Sequence, residues 1–201
     1  MSTALRDVSG AAAVAVVQQQ LLAYQTMLLR WNSTFNLVSR QDTQRLLHRH
    51  VLDALQLLPY LLGRHVLDIG TGAGLPGMVL AIARPDLEFT LLDRAARKVR
   101  FLVQARAELG LHNVTTVCAD ALNWRSPCPF DTVTVRAVAT GANLQAMVLP
   151  HLAPHGQLLA QLGTARDDAL PAALRQRHEH RYRLAEVPGE FRIVVMGWPQ
   201  D

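Results

Sequence analysis

Val66-Leu67-Asp68-Ile69-Gly70-Thr71-Gly72-Ala73-Gly74-Leu75-Pro76-Gly77 is the stretch that decides the fold. A short apolar run passes through an acid into three glycines at alternate positions, and a helical pattern comes next over about 76–84. Glycine lets the backbone turn sharply and lets a ligand approach with no Cβ in the way. A strand, a glycine turn and a helix in that order open an α/β sheet. The turn then lies at the carboxyl end of the first strand, where open sheets of this kind bind ligands.

The pattern repeats outward from this loop. Strand-like runs at His65–Ile69, Leu87–Leu92, Val114–Cys118, Thr132–Val135, Gln157–Gln161, Tyr182–Val187 and Ile193–Met196 alternate with helical stretches near 94–110, 141–152 and 167–178. The alternation predicts a Rossmann-like α/β fold with a sheet of about seven strands, mostly parallel. Pro188-Gly189-Glu190 is a hairpin-length link, so the final strand should run antiparallel at or near the edge. Upstream, Val14, Val17, Leu21, Met27 and Leu28 predict a helix over 12–31. Leu46, Leu47, Val51, Leu55 and Leu58 predict another over 42–60, with Asp42 as its cap. The chain therefore divides into an N-terminal helical extension, 1–62, and a sheet domain, 63–201.

Composition sets the class. The 201 residues fit one compact domain with a short appendage, and half are hydrophobic. No apolar run is long enough to span a bilayer. Met1–Gly10 lacks the charged segment followed by an apolar stretch that marks a secretory signal. Two cysteines, Cys118 and Cys128, are too few for a disulfide framework, so the chain reads as cytoplasmic. The net charge is +4, supplied almost wholly by arginine, since Lys98 is the only lysine. An arginine-rich surface suits phosphate, because the guanidinium fork matches two phosphate oxygens; it is also what an ordinary solvated face looks like.

Two ligands compete for the glycine loop. Gly72, Gly74 and Gly77 satisfy the dinucleotide fingerprint, which is a weak match alone. The tighter pattern is an acid, Asp68, followed by Gly70, Gly72 and Gly74. It suits S-adenosylmethionine: no phosphate needs cradling, and the acid suits a ligand with a free amino group. Asp93 closes the next strand nineteen residues after Gly74 and could accept hydrogen bonds from two ribose hydroxyls.

Trp31-Asn32, Phe35-Asn36-Leu37, Arg49-His50-Val51-Leu52-Asp53, the loop through Gly77, Leu91-Leu92-Asp93, Val99-Arg100-Phe101-Leu102, Phe130-Asp131 and Arg136-Ala137-Val138-Ala139 together resemble the ribosomal small-subunit methyltransferase G family, also called glucose-inhibited division protein B. The resemblance covers roughly 20–195. It implies a class I S-adenosylmethionine-dependent methyltransferase, cytoplasmic and monomeric, acting on guanine N7 in the 530 loop of bacterial 16S ribosomal RNA. It places donor contacts at Gly70, Leu75, the Ala121-Leu122 pair and Arg136. Where the family usually has Arg-Ala-Glu this chain has Asp120-Ala121-Leu122, so Asp120 becomes a candidate for the adenine. Ala54 replaces a common serine, and Leu162-Gly163 replaces Lys-Gly.

The chemistry is consistent with these residues. N7 of guanine carries a lone pair and no proton, so attack on a sulfonium methyl needs alignment and not a general base. The stretch after the fourth strand carries no base, and no Asn-Pro-Pro-aromatic motif for exocyclic amines. Pro127-Cys128 resembles a cytosine-C5 nucleophile but precedes the fourth strand. Arg136 and Asn36 are the catalytic candidates, and Arg49, His50, Arg97 and Arg100 the RNA-binding ones. Trp31 and Phe35, four apart, should pack; Asn32 and Asn36 should line a pocket or cap a helix. His48, His50 and Asp53 do not make a metal site, because residues two apart do not share a helix face.

Overall fold

The computed structural model describes residues 11–38, 44–136, 141–163, 170–184 and 189–199. Helix α1 spans Ala11–Phe35 and α2 spans Gln44–Leu55, followed by a 3₁₀ turn at Leu58–Tyr60. Then come β1 (His65–Ile69), α3 (Gly77–Ala83), β2 (Glu88–Asp93), α4 (Ala96–Glu108), β3 (Val114–Cys118), β4 (Phe130–Arg136), α5 (Gly141–Val148), β5 (Leu152–Leu162), β6 (Arg175–Tyr182) and β7 (Phe191–Gly197). The proposed cap Asp42 and the motif residues Ala137, Val138 and Ala139 lie outside the described residues.

Seven strands form one sheet in the order β3-β2-β1-β4-β5-β7-β6. The pairs β1–β2, β2–β3, β1–β4 and β4–β5 are parallel. β7 runs antiparallel between β5 and β6. This bears out the expected sheet, including an antiparallel last strand next to the edge. Central strands read as near-continuous apolar runs because helices cover both faces. Accordingly β1 is buried from Val66 to Ile69.

Two expectations fail. The described part of the expected 167–178 helix, residues 170–178, is not helical. The strand expected over 182–187 lies earlier, at Arg175–Tyr182, where it is the edge strand; residues 185–187 lie outside the described residues. The edge strand is made of long polar side chains with no period-2 apolar signal, and most of it is exposed. Pairing with β7 imposes the strand there, overriding local preference.

The sheet is polar along one face of its middle. Thr132, Thr134 and Arg136 alternate on β4, and Gln157 and Gln161 occupy β5; all but Arg136 are buried. This face receives the N-terminal helices. Val17, Leu21, Tyr24 and Leu28 of α1 and Val51, Ala54 and Leu55 of α2 share one apolar cluster with Val66, Leu91 and Leu159 of the sheet. The opposite face packs Leu67, Ile69, Val133, Leu158 and Val194 against Leu144 and Val148 of α5.

Candidate active site

A cleft of about 620 Å³ opens at the carboxyl ends of β1, β2, β3 and β4. Gly70, Asp93, Arg97, Ala121, Leu122 and Arg136 are among the residues lining it. The sheet order puts β2 and β4 on either side of β1, so the loop after β1 sits at the centre.

The loop is held by its neighbours. The amides of Gly70 and Thr71 donate to the Leu92 carbonyl at 2.8 and 3.1 Å. The Gly72 amide donates to Asp93 Oδ2 at 2.9 Å, and the Ala95 amide to Asp93 Oδ1 at 2.8 Å. Asp93 is thereby fixed at the rim with Lys98 Nζ 3.8 Å away. Gly70, Gly72 and Gly74 all take positive φ, which explains the alternating glycines. Their free space differs. A Cβ on Gly72 would meet only Lys98 Nζ at 3.8 Å and the Gly70 carbonyl at 3.9 Å, so this side of the loop is an open cradle. A Cβ on Gly74 would strike Met78 Cβ at 2.7 Å, so Gly74 makes room for the protein's own helix.

Asp68 and Leu75 lie beneath the cleft and not in its lining, with 1% and 3% exposure. The Asp68 carboxylate accepts from the Gly77 amide at 2.9 Å and the Thr134 hydroxyl at 3.0 Å. Burial pushes its pKa up to about 6 against these hydrogen bonds. In the structure Asp68 braces the loop from inside.

At the β3 end, Asp120 Oδ1 accepts from the Leu122 amide at 2.9 Å, closing a turn after the strand. Ala121 is buried and Leu122 is 43% exposed, which leaves an apolar surface at the cleft. Asp120 orients the turn through that hydrogen bond.

Arg136 is not the lone charge that the sequence suggests. Its Nη1 donates to His50 Nδ1 at 3.2 Å and sits 3.8 Å from Asp53 Oδ2. Because guanidinium only donates, His50 accepts at Nδ1 and carries its proton on Nε2. Arg49 also turns inward: its guanidinium lies 5.2 Å from the Phe191 ring centre, and its Nε is buried. Of the four RNA candidates, Arg49 and His50 thus engage the protein itself. Arg97 and Arg100, three apart on α4, are exposed.

Asn36 ends α1 with φ 46, the left-handed conformation that Asn tolerates at a helix end. Asn32 Oδ1 accepts from the Val38 amide at 2.8 Å. Both serve the helix terminus, and neither is among the residues lining the cleft. Trp31 packs edge-on to Phe101 with ring centres 5.6 Å apart, while Phe35 stays 43% exposed. Cys128 is exposed and outside the cleft lining. Among the described residues no three His, Cys, Asp or Glu side chains group to hold a metal, and no helix is long and apolar enough to cross a membrane.

Sequence reasoning missed Tyr24, Thr134, Gln161 and Tyr182. The usable signal was the run Thr132, Thr134, Arg136: polar residues two apart in a central strand mark one polar face, where apolar residues are the rule.

Comparison with known proteins agrees with the geometry. A family model described as rRNA small subunit methyltransferase G matches residues 17–189. The chain is 41% identical over 186 residues to the Ribosomal RNA small subunit methyltransferase G of Serratia proteamaculans, covering 89% of each chain. It is 45% identical over 152 residues to the protein of that name from Nitrosococcus oceani, covering 76% of this chain and 71% of the relative. The fold is similar to that of the N-methyltransferase NodS from Bradyrhizobium japonicum in complex with S-adenosyl-L-homocysteine. That match has a TM-score of 0.54 at 17% identity and covers 79% of this chain and 90% of the other. The chain belongs to the rRNA small subunit methyltransferase G family, and it is a methyltransferase with S-adenosylmethionine as its methyl donor.

Proposed function

We propose that this protein methylates N7 of a guanine in the 530 loop of bacterial 16S ribosomal RNA, acting as a cytoplasmic monomer. The observation that carries the reading is the convergence of Gly70, Asp93, Ala121 and Arg136 on one cleft at the strand ends, beside the open cradle at Gly72. In this reading 1–62 is a helical cover for the methyltransferase unit 63–201.

S-adenosylmethionine supplies a methyl group on a positively charged sulfur. Gly70 and the Gly72 cradle give the donor room, and Asp93 offers the lone pairs its two amide bonds leave over to ribose hydroxyls. Ala121 and the exposed Leu122 give an apolar surface for adenine. Arg136, lining the cleft from the end of β4, orients a carboxylate of the donor or a phosphate of the RNA. Asp53 beside it offsets a guanidinium charge that would otherwise oppose a positively charged donor. N7 has no proton to lose, so the residues need only align the partners and exclude water. Arg97 at the cleft and Arg100 beside it face the RNA backbone.

The test is mass spectrometry of 16S ribosomal RNA from cells lacking the gene. Loss of one 7-methylguanosine, restored by the intact gene, is the expected result. An unchanged set of modified nucleosides would reject the reading.

A further inference from the structure

Beneath Arg136 lies a buried polar network that joins α2 to three strands. Asp53, 6% exposed, sits one turn after His50 on α2. Its Oδ1 accepts from the Tyr182 hydroxyl at 2.5 Å, and its Oδ2 faces Arg136 Nη1 at 3.8 Å. Gln161 Nε2 donates to the Tyr182 hydroxyl oxygen at 2.9 Å and to the Asp53 carbonyl at 2.8 Å. The sheet register explains how the parts meet. Arg136 on β4 is level with Gln161 on β5, Gln161 with Ile193 on β7, and Ile193 with His180 on β6. Tyr182, two residues beyond His180 on the same face, therefore reaches back over β7 to the row that holds Arg136.

We propose that Asp53 and Tyr182 form a positioning pair for Arg136, the first supplying charge and the second fixing the carboxylate that carries it. The inference rests on the reading that Arg136 works at the donor cleft. A buried carboxylate costs stability unless it is paired. Packing α2 on the sheet does not by itself call for a charge at 53. The geometry gives a reason for one. The long 3.8 Å approach to Arg136 is Coulombic, whereas the 2.5 Å bond from Tyr182 is directional. The directional bond fixes the carboxylate, and the carboxylate with His50 fixes the guanidinium. Burial and the neighbouring Asp53 charge both keep the Tyr182 hydroxyl protonated, so the donor is permanent.

Two substitutions separate the parts. Asp53→Asn keeps an acceptor for Tyr182 and removes the charge; Tyr182→Phe removes only the hydroxyl. Each is measured for methyl transfer from S-adenosylmethionine to small-subunit particles, for S-adenosylhomocysteine binding by calorimetry, and for melting. Each should lower kcat by about tenfold well below its melting temperature, while the Kd changes by less than about threefold. In an Arg136→Ala background either substitution should add less than about twofold, because both act through the arginine. Full activity in both single variants with an impaired Arg136→Ala would overturn the positioning pair and leave the Arg136 reading standing. Losses that multiply in the Arg136→Ala background would overturn it too. Full activity in Arg136→Ala would reject the Arg136 reading itself, and the inference with it.

Discussion

Tyr24, in the middle of α1, donates its hydroxyl hydrogen bond to the carbonyl of Ala73 at 2.8 Å, across 49 residues of chain. The ring is fully buried and packs 6.3 Å from Phe101. Ala73 lies inside the glycine loop, so the N-terminal helix holds the donor loop directly. Tyr24→Phe keeps the packing and leaves a buried carbonyl unsatisfied, a loss of about 1–2 kcal/mol. Chemical denaturation should show that loss, and calorimetry should show weaker donor binding. Unchanged binding would mean that the loop keeps its shape without α1.

Gly72→Val should remove donor binding and leave the sheet intact. The side chain would enter the open cradle, and a β-branched residue resists the positive φ found there. The backbone strain costs about 1–2 kcal/mol. Calorimetry with S-adenosylhomocysteine measures the first effect and circular dichroism the second. Normal binding would show that the donor does not use this side of the loop.

Asp68 should make the protein less stable as pH rises through the acid range. Its folded pKa, about 6, lies above the ordinary aspartate value of 3.8, so the folded state binds more protons between those values. Stability is therefore greatest below about pH 4 as far as this group is concerned, and it declines through about pH 6. The difference is on the order of 2–3 kcal/mol. Asp68→Asn, still able to accept from Gly77, should lose that dependence. Urea unfolding of both proteins at low and neutral pH compares them. Parallel pH profiles would mean that the carboxylate is not penalised by burial.

Arg136→Lys should lose activity nearly as fully as Arg136→Ala, because an ammonium cannot reproduce the fork between His50 and the cleft. A removed charge-assisted hydrogen bond is worth about 1.5–3 kcal/mol, or about ten- to a hundredfold in rate. Arg136→Ala should also lower stability, by about 1 kcal/mol after allowing for the exposure of the guanidinium, since it removes the larger of the two cationic influences on Asp53, Arg49 supplying the other. Methyl transfer and melting curves measured together decide it. Wild-type activity in Arg136→Lys would reject the need for the guanidinium fork.

Arg97→Gln with Arg100→Gln should flatten the salt dependence of RNA binding by up to about two ion units, since each phosphate contact releases condensed counterions. Both residues are exposed on α4, and Arg97 lines the cleft. Binding measured across a salt series reads the slope. An unchanged slope and affinity would mark them as a solvated face.

The fold was legible wherever one periodicity governed a segment. The runs around Val66, Leu91 and Val133 are apolar because parallel strands are covered on both sides, and the glycine spacing marked the turn after β1. The edge strand was not legible. Arg175–Tyr182 has no apolar alternation, and only its neighbour β7 makes it a strand. The site was legible as a place more than as a set of roles. Gly70, Asp93, Ala121 and Arg136 do meet at one cleft, but Asp68, Gly74 and Asn36 have duties to the backbone that spacing alone cannot separate from ligand contact. Arg136 reads as isolated in the sequence because its partners His50 and Asp53 come from a helix more than eighty residues earlier.

The place of β7 has a consequence for the order of assembly. Among the described residues β6 has no sheet neighbour except β7, yet β6 precedes it in the chain. As the chain folds, β6 therefore has nothing to pair with until Phe191–Gly197 slots in beside β5. Only then does Tyr182 reach Asp53. A folding chain can close the glycine loop and the first five strands while Tyr182, the outermost part of the support under Arg136, is not yet in place. The cleft thus matures from the donor side towards β6, and its last part is set by the final strand described.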